Sequence, residues 1–292
     1  MNEMEKSQGA YHDDMQTWGF SFKVENILLR LEEIPVMMKL KNRSEKEVEP
    51  MKITVLGNNS TTVTQGGACS SYLLEVEGRK ILLDMGNGSI FNLKKRVKLS
   101  EIDAIILTHH HFDHLSDLFL FRYEREGQKY MGEEVAPMDL YTPEMPKWLH
   151  ESLMKNDLFR LHVIMENTRV SIGNLSAEFI EVLHLLETYA VRCTYDGKVF
   201  TYSADTGVCD GIHEAARDAD LFLCEASYGS YEPYRMKHHL HGKEAGEIAR
   251  KCGVKKLLLT HLPETHLEQL LQEAKAIHGD TEISEILGTY EV

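Results

Sequence analysis

From Met51 onward, short apolar runs alternate with segments whose apolar residues recur at helical spacing. A short unbroken apolar run between turn residues is typical of a buried strand. The alternation, without an internal repeat, predicts a layered α/β domain with a mixed sheet. The predicted strands are Met51–Leu56, Tyr72–Val76, Lys80–Asp84, Ala104–Thr108, Leu140–Tyr141, Arg169–Ile172, Glu178–Leu183, Val191–Tyr195, Lys198–Ser203, Leu221–Cys224 and Leu257–Thr260, and the predicted helices are Leu115–Arg122, Ile212–Ala219, Lys243–Cys252 and Leu267–Ile277.

Residues 1–50 have a different pattern from the rest. Asn26–Leu31 is compatible with a short helix, Pro35 interrupts it, and Lys39–Pro50 is a highly charged run. We therefore expect an N-terminal arm and linker over residues 1–50 and one domain over residues 51–292. A surface helix packed on that domain and a homodimer contact both fit the arm, which is too small to be a separate folded domain.

Composition and charge narrow the class of protein. The 292 residues are 42% apolar and 27% charged, which is ordinary for a globular protein and excludes disordered, collagen-like and membrane-spanning chains. The formal net charge of −14 argues against a broad nucleic-acid surface. The best basic run, Lys94–Arg96, fits a solvated helix face.

The compartment is predicted from the N-terminus and the cysteines. The N-terminus has early acidic residues and no apolar core, so it does not resemble a secretory signal. The segment Ile27–Leu40 is too charged and too short to span a bilayer. The five cysteines are odd in number and include no C-x-x-C pair, which suits buried thiols in a reducing compartment. We expect a cytoplasmic protein without membrane contact.

A histidine motif, H-x-H-x-D-H, directly follows the strand Ala104–Thr108. In extended chain, residues i and i+2 face the same side, so His109 and His111 can converge on one metal ion. Asp113 and His114 lie on the turn into the next helix and can face a second ion. Imidazole with carboxylate suits Zn²⁺, and also Mn²⁺ or iron. The alternatives are that Asp113 is only a helix N-cap or that the histidines form a solvated run.

Three further candidate ligands follow predicted strands. They are His184, Asp205 and His261. Active-site groups of layered α/β folds commonly gather beyond strand ends. Each histidine alone would more often be structural, but their shared placement with the H-x-H-x-D-H motif favours metal ligands. Asp205 is the natural bridge, because one carboxylate can hold two cations.

The order of these motifs resembles that of the metallo-β-lactamase superfamily over residues 51–292. The matching segments are ILLDMGNG with Asp84, THHHFDH, His184, YSADTG with Asp205 and LLLTHLPE with His261. The resemblance implies an α/β fold, a four-layer αβ/βα sandwich of two mixed β-sheets flanked by helices. It also implies two metal sites that share Asp205, one with His109, His111 and His184 and the other with Asp113, His114 and His261.

A second pair of motifs resembles the ribonuclease Z-like phosphodiesterase branch of that superfamily. On this resemblance Glu225, at a strand end, would orient His239, which precedes a helix and would donate a proton to the leaving group. His241 stands where the branch usually has Ser or Thr, and Cys224 where ribonuclease Z has His. The competing interpretation is a polar loop of His238, His239 and His241 with a helix cap.

The tRNA-binding arm of ribonuclease Z is missing. The 20 residues between His184 and Asp205 fit a simple hairpin with an Asp196-Gly197 turn. The chain is therefore expected to be a short form, acting on small substrates rather than structured RNA. The long segment Arg122–Leu161 lacks metal motifs, and we expect a lid or pocket wall there, although core packing explains it nearly as well.

These observations predict a dinuclear metal-dependent hydrolase that uses a metal-bound hydroxide. Its cofactors would be two divalent ions, Zn²⁺ before Mn²⁺ or Fe²⁺, and its substrates small or cyclic phosphodiesters. One alternative is a carboxyl-ester, thioester or lactone hydrolase on the same scaffold. Others are a ribonuclease Z-like nuclease and a non-catalytic metal-binding sensor or interaction protein. A homodimer is compatible with all of them.

Overall fold

The computed structural model describes residues 49–231 and 236–292. The predicted arm therefore lies outside the described residues, apart from Glu49 and Pro50. Within the described part the strands form two sheets of seven strands each. The predicted class, a four-layer sandwich of two mixed sheets, is confirmed by this arrangement.

The first sheet begins with antiparallel strands and ends with parallel ones. Its strands are β1 (Lys52–Gly57), β2 (Ser71–Val76), β3 (Arg79–Leu83), β4 (Ala104–Ile106), β5 (Met138–Thr142), β6 (Phe159–Val163) and β14 (Thr289–Glu291). The spatial order is β14-β1-β2-β3-β4-β5-β6. The pairs from β14 to β3 are antiparallel, and those from β3 to β6 are parallel.

The second sheet repeats this plan. Its strands are β7 (Arg169–Ile172), β8 (Leu175–Glu181), β9 (Tyr189–Tyr195), β10 (Lys198–Tyr202), β11 (Leu221–Glu225), β12 (Lys256–Thr260) and β13 (Thr281–Ile283). The spatial order is β13-β12-β11-β10-β9-β8-β7. The pairs from β7 to β10 are antiparallel, and those from β10 to β13 are parallel.

Helices cover the outer face of each sheet. They are α1 (Ser89–Leu93), α2 (Phe112–Tyr130), α3 (Lys147–Leu153), α4 (Asp210–Ala216), α5 (Gly242–Lys251) and α6 (Leu267–Lys275). One apolar core joins the first sheet to α1, α2 and α3, and another joins the second sheet to α4, α5 and α6. A third core lies between the two sheets. Three cores separate four layers.

The apolar runs of the central strands follow from burial on both faces. In β11, Leu223 faces the core between the sheets, whereas Phe222 and Cys224 face the helices. In β12, Leu258 faces the other sheet and Leu257 faces the helices. Successive strand residues point to opposite faces, so a strand between two cores is apolar at every position.

The structure extends and corrects the predicted elements. The Asp196-Gly197 turn of the β9–β10 hairpin has positive φ at both residues, 47° and 73°, as the hairpin prediction requires. The predicted helix Leu115–Arg122 is part of the longer α2. The elements that the sequence pattern did not predict are α1, α3, β6, β13 and β14.

The segment Arg122–Leu161 is mostly regular structure rather than a long loop, because α2, β5 and α3 occupy most of it. Residues 143–146 and Trp148 of this segment line a cavity of about 580 Å³ together with His110. All five cysteines are free, and Cys69, Cys193 and Cys224 are buried. No helix in the described ranges is both long enough and apolar enough to cross a membrane.

The core between the sheets should dominate the stability of the domain. Phe200 is fully buried there, so we expect Phe200→Ala to lower the free energy of unfolding by about 3–5 kcal/mol. Phe91, 67% exposed, is the matched control, and Phe91→Ala should cost less than about 1 kcal/mol. Denaturant unfolding of both variants measures the difference. Equal losses would contradict this assignment of the core.

Candidate metal centre

The histidine motif lies between β4 and α2. His109 is fully buried, and His111 is the N-cap residue of α2. Asp113 lies in the first helical turn rather than at the N-cap, where the partial positive charge of the helix end favours a carboxylate. His110 is not among the possible metal ligands, because its Nε2 atom lies 2.7 Å from Thr142 Oγ1.

One group of possible metal ligands contains His109, His111, His184 and Asp205. Each offers one ligand atom, and these atoms lie within 4.8 Å of one another. His111 Nδ1 is 3.1 Å from His109 Nε2 and 3.0 Å from His184 Nε2. Asp205 Oδ2 is 3.9 Å from the Nε2 atom of both His109 and His184. Three imidazoles and a carboxylate therefore face one point.

A second group, with the same spacing limit of 4.8 Å, contains Asp113, His114, Asp205 and His261. His114 Nε2 lies 3.2 Å from Asp205 Oδ1. His261 Nε2 lies 3.3 Å from Asp113 Oδ2 and 3.3 Å from Asp205 Oδ2. The structure thus brings together all seven predicted ligands, and Asp205 belongs to both groups.

Left-handed backbone turns follow three strands that supply the site. Asp84 after β3, Ala204 after β10 and His261 after β12 have φ of 56°, 53° and 51°. This conformation is uncommon for residues other than glycine and costs on the order of 1 kcal/mol or more each. At each of these strand ends, the left-handed conformation changes the direction of the chain next to a residue of the site.

Asp84 holds the second group in place. Its buried carboxylate accepts hydrogen bonds from Thr108 N at 2.8 Å, Thr108 Oγ1 at 2.9 Å and Tyr202 OH at 2.9 Å. It also accepts one from His114 Nδ1 at 2.8 Å. With the Nδ1 proton of His114 directed at Asp84, Nε2 is the ring nitrogen that faces Asp205.

Burial keeps the histidines of the first group neutral. It lowers the pKa of His109 well below the usual value and that of His184 to about 4. The pKa of His111 is also lowered, again chiefly by burial. Neutral imidazole has a free lone pair, which is the form that binds metal ions.

The carboxylates remain charged although burial opposes it. The neighbouring histidines, above all His261, outweigh burial and lower the pKa of Asp113 to about 2. In the same way His114 and His261 hold the pKa of Asp205 well below its usual value. Burial lowers the pKa of His114, but the carboxylates of Asp205 and Asp84 outweigh it and raise the pKa well above normal.

Two atoms at the centre of the site show that the residues fit a cation. His114 Nε2 and Asp205 Oδ1 are buried, and neither has a hydrogen-bond partner among the described residues. Buried polar atoms are almost always satisfied, so an orphaned pair facing the same space indicates a missing partner. Nitrogen and carboxylate donors are the set that Zn²⁺, Mn²⁺ and iron accept.

Glu225 and His239 also lie together beside the ligand groups. His239 Nδ1 is 2.9 Å from Glu225 Oε1, and the Glu225 side chain is fully buried. Burial lowers the pKa of His239, but the hydrogen bond and charge of Glu225 outweigh it, so the pKa is raised. His241 is the N-cap of α5, so the predicted helix cap and the predicted Glu225–His239 pair are both present.

A cavity of about 490 Å³ opens onto this centre. Asp113, Asp205 and His239 line it, together with the exposed ring of Phe112. A substrate in this cavity would contact the candidate ligands and His239 at the same time.

The sequence motifs contain several further residues of the site without indicating their roles. Asp84 and Tyr202 stand in matching segments, and Ser227 follows Glu225 by two residues. Gly86 follows Asp84 closely, and a Cβ atom there would lie 2.0 Å from the Asp113 carbonyl oxygen. The ILLDMGNG segment contains Asp84 and Gly86, and the YSADTG segment contains Tyr202, whereas the roles of Tyr202 and Ser227 become visible only through their contacts.

Two seven-stranded sheets between helices, with a histidine and aspartate centre at their strand ends, define the class of metallo-β-lactamase-fold hydrolases. The family model of the beta-lactamase superfamily domain matches residues 79–262. The chain belongs to this superfamily.

Three relatives illustrate the relationship. The uncharacterized protein Rv1339 of Mycobacterium tuberculosis is 33% identical over 239 residues, covering 78% of this chain and 87% of its own length. The "Probable metallo-hydrolase YhfI" of Bacillus subtilis is 26% identical, covering 80% and 97%. The ribonuclease Z of Clostridium acetobutylicum is 25% identical, covering 80% and 95%.

A solved structure also supports membership of the chain in this superfamily. The crystal structure of YhfI from Bacillus subtilis, described as a metallo-beta-lactamase fold protein, has a TM-score of 0.79 at 25% identity and covers 84% of this chain and 100% of its own. The predicted superfamily is confirmed, and the ribonuclease Z relative confirms the predicted kinship to that branch.

The Asp84 network should be sensitive to the loss of one charge. In Asp84→Asn the amide replaces an acceptor that three side-chain donors need, so we expect a loss of about 2–4 kcal/mol in the free energy of unfolding. Asp139, whose Oδ1 lies 2.8 Å from both Arg160 and His162 on the surface, provides the control. Asp139→Asn should cost less than about 1 kcal/mol. Thermal unfolding of the metal-free variants compares them, and a neutral Asp84→Asn change would refute the role of the network.

Proposed function

We propose that the chain is a dinuclear metal-dependent phosphodiesterase acting on small or cyclic phosphodiesters, with residues 51–292 as its hydrolase domain and residues 1–50 as an arm. One observation carries this proposal. Two groups of metal-ligating side chains share the Asp205 carboxylate and adjoin a buried Glu225–His239 pair. A shared carboxylate suits a two-metal site, and the adjoining pair suits a proton donor.

The seven residues of the two groups would hold two divalent cations, Zn²⁺ before Mn²⁺ or Fe²⁺. His109, His111 and His184 would bind one ion, Asp113, His114 and His261 the other, and Asp205 both. When bound, the ions supply an activated water at neutral pH and neutralise charge on the phosphoryl oxygens.

Asp113 is placed to orient the attacking water. Its side chain is 11% exposed and lines the cavity, whereas Asp205 is only 2% exposed. Its Oδ2 atom lies beside His261 Nε2, at 3.3 Å, within the second ligand group. With Oδ2 facing the second ion, the other oxygen could accept a hydrogen bond from water. A carboxylate with its pKa lowered to about 2 stays charged at neutral pH and keeps this acceptor.

His239 is placed to protonate the leaving group. Its Nδ1–H donates to Glu225, so Nε2 is the nitrogen available to the cavity. The raised pKa favours the protonated ring that a general acid requires. Glu225 would then stabilise the imidazolium before transfer and fix the orientation of the ring.

Several features favour a small diester over structured RNA. The cavity at the centre is about 490 Å³, and the segment between His184 and Asp205 is the short β9–β10 hairpin. The net charge of −14 opposes binding of a long polyanion. The relatives named ribonuclease Z support phosphodiester chemistry at the same kind of site.

Metal binding tests the first part of the proposal. We expect two Zn²⁺ ions per chain by calorimetric titration. Saturation at about 100 times the dissociation constant should stabilise the fold by about 2.7 kcal/mol per site. Asp205→Asn should weaken both binding steps. Asp220, which pairs with Lys198 and Lys255 outside the site, provides the control, and Asp220→Asn should leave both steps unchanged. A single strong site that survives Asp205→Asn would contradict the shared carboxylate.

Hydrolysis of bis(p-nitrophenyl) phosphate by the Zn²⁺- or Mn²⁺-loaded protein tests the second part. We expect turnover that is lost on chelation and falls about 10²–10⁴-fold in Asp113→Ala. His239→Ala should slow diesters with alkoxide leaving groups more than it slows this activated substrate, because a good leaving group needs no proton.

The surface histidine His162, which is 37% exposed, is the matched control for His239, and His162→Ala should leave all rates unchanged. Equal losses on both kinds of leaving group would contradict the proton-donor role. Hydrolysis of carboxyl esters, thioesters or lactones without any diester turnover would replace the proposed substrate class.

A further inference from the structure

Ser227 lies between the proton-donating pair and the metal-facing groups. Its Oγ atom is 2.7 Å from Glu225 Oε2 and 2.8 Å from His261 Nδ1. His239 Nδ1 and the His261 carbonyl oxygen are farther away, each at 3.4 Å. The residue is only 8% exposed. A buried hydroxyl with two close partners must divide one proton and its lone pairs between them.

The contacts of Glu225 decide where that proton lies. Its Oε1 atom accepts from Thr206 N at 2.6 Å and from His239 Nδ1 at 2.9 Å. Its Oε2 atom accepts from Leu240 N at 3.2 Å. Backbone N–H groups can only donate, so both oxygens of Glu225 act as acceptors. The short contact with Ser227 then requires the hydroxyl to donate to Oε2.

The second contact of Ser227 is settled by the first. Because its proton points at Glu225, the hydroxyl oxygen can only accept from His261 Nδ1. His261 therefore carries a proton on Nδ1. The opposite nitrogen, Nε2, is the one that lies 3.3 Å from both Asp113 Oδ2 and Asp205 Oδ2.

We propose that Ser227 is a positioning residue that ties His261 to Glu225 and holds it in the Nδ1–H tautomer, with the Nε2 lone pair directed at the second ligand group. The proposal rests on the proposed function in one respect, namely that His261 is a metal ligand. A ligating histidine usually donates its other N–H to a fixed acceptor, and loss of such an acceptor typically weakens metal binding by about 10–100-fold.

The same geometry assigns a role to a third cluster of possible ligands. Glu225, His239 and His261 offer atoms within 4.8 Å of one another, and the two rings stack at 6° with centroids 5.5 Å apart. The Ser227 hydroxyl contacts all three side chains. It therefore takes the place that a cation would need, and the cluster is a hydrogen-bonded support rather than a third metal site.

One carboxylate thus controls two functions. Glu225 orients His239 directly and His261 through the Ser227 hydroxyl. Any movement of Glu225 would displace the proton donor and the metal-facing histidine together.

Metal titration of the full chain tests this arrangement with a readout other than activity. In a titration with Co²⁺, the visible absorption of the bound ion reports each of the two binding steps. We expect Ser227→Ala to weaken the affinity of one step by about 10–100-fold and to leave the other unchanged. Ser227→Thr, which retains the hydroxyl, should restore the native isotherm. Thr281→Val removes a buried hydroxyl that bonds the His278 carbonyl oxygen and no residue of the centre, and it should leave both steps unchanged.

Two outcomes would overturn the proposal. One is a Ser227→Ala isotherm identical to the native one. The other is equal weakening of both steps, which would mean that the substitution disturbs the fold rather than His261.

The tautomer can also be observed without changing Ser227. NMR spectra are recorded for the Zn²⁺-loaded native chain labelled with ¹⁵N-histidine and for the His261→Gln variant. The resonances present in the native spectrum and absent from the variant spectrum belong to His261. We expect a proton on Nδ1 and none on Nε2, and the reverse pattern would refute the role of Ser227. Both measurements are independent of phosphodiester turnover. A chain that shows the expected tautomer and isotherms but hydrolyses no diester would refute the proposed function alone.

Discussion

A buried carboxylate, that of Asp205, is the charge around which the whole centre is arranged. It is 2% exposed, and ring nitrogens of five histidines lie within 4.0 Å of it: His109, His114, His184, His239 and His261. An isolated buried charge costs several kcal/mol, so the fold must supply counter-charges or cations there. The surrounding histidines, and the cations that the two ligand groups would hold, meet this constraint together.

The duplicated sheet plan makes this convergence possible. The ligands follow β4 in the first sheet and β8, β10 and β12 in the second, so neither sheet contains the centre alone. Left-handed turns at Ala204 and His261 direct the chain inward, and Gly86 lets the loop after β3 approach Asp113. The inferred pathway from Glu225 through Ser227 adds a support from β11 and the segment that follows it.

The sequence predicted the parts of this structure whose signals are local. Continuous apolar runs identify the strands buried on both faces, and the H-x-H-x-D-H spacing identifies one wall of the centre. The edge strand β14 carries no such signal, because it is short and mostly exposed. Contacts such as Tyr202 with Asp84, which lie 118 residues apart in the chain, depend on tertiary folding and have no signature in one sequence. The sequence pattern places the end of one strand at Leu183, whereas β8 ends at Glu181, so His184 lies in the loop after the strand.

The position of the centre across both sheets has an evolutionary consequence. A ligand held by residues from both halves binds only chains whose halves are correctly packed, and coupling of this kind acts equally in both directions. Residues of the core between the sheets therefore influence retention of a ligand that they never touch. Selection for an occupied centre would therefore also act on interior residues such as Phe179 and Leu258, in addition to selection for a stable fold.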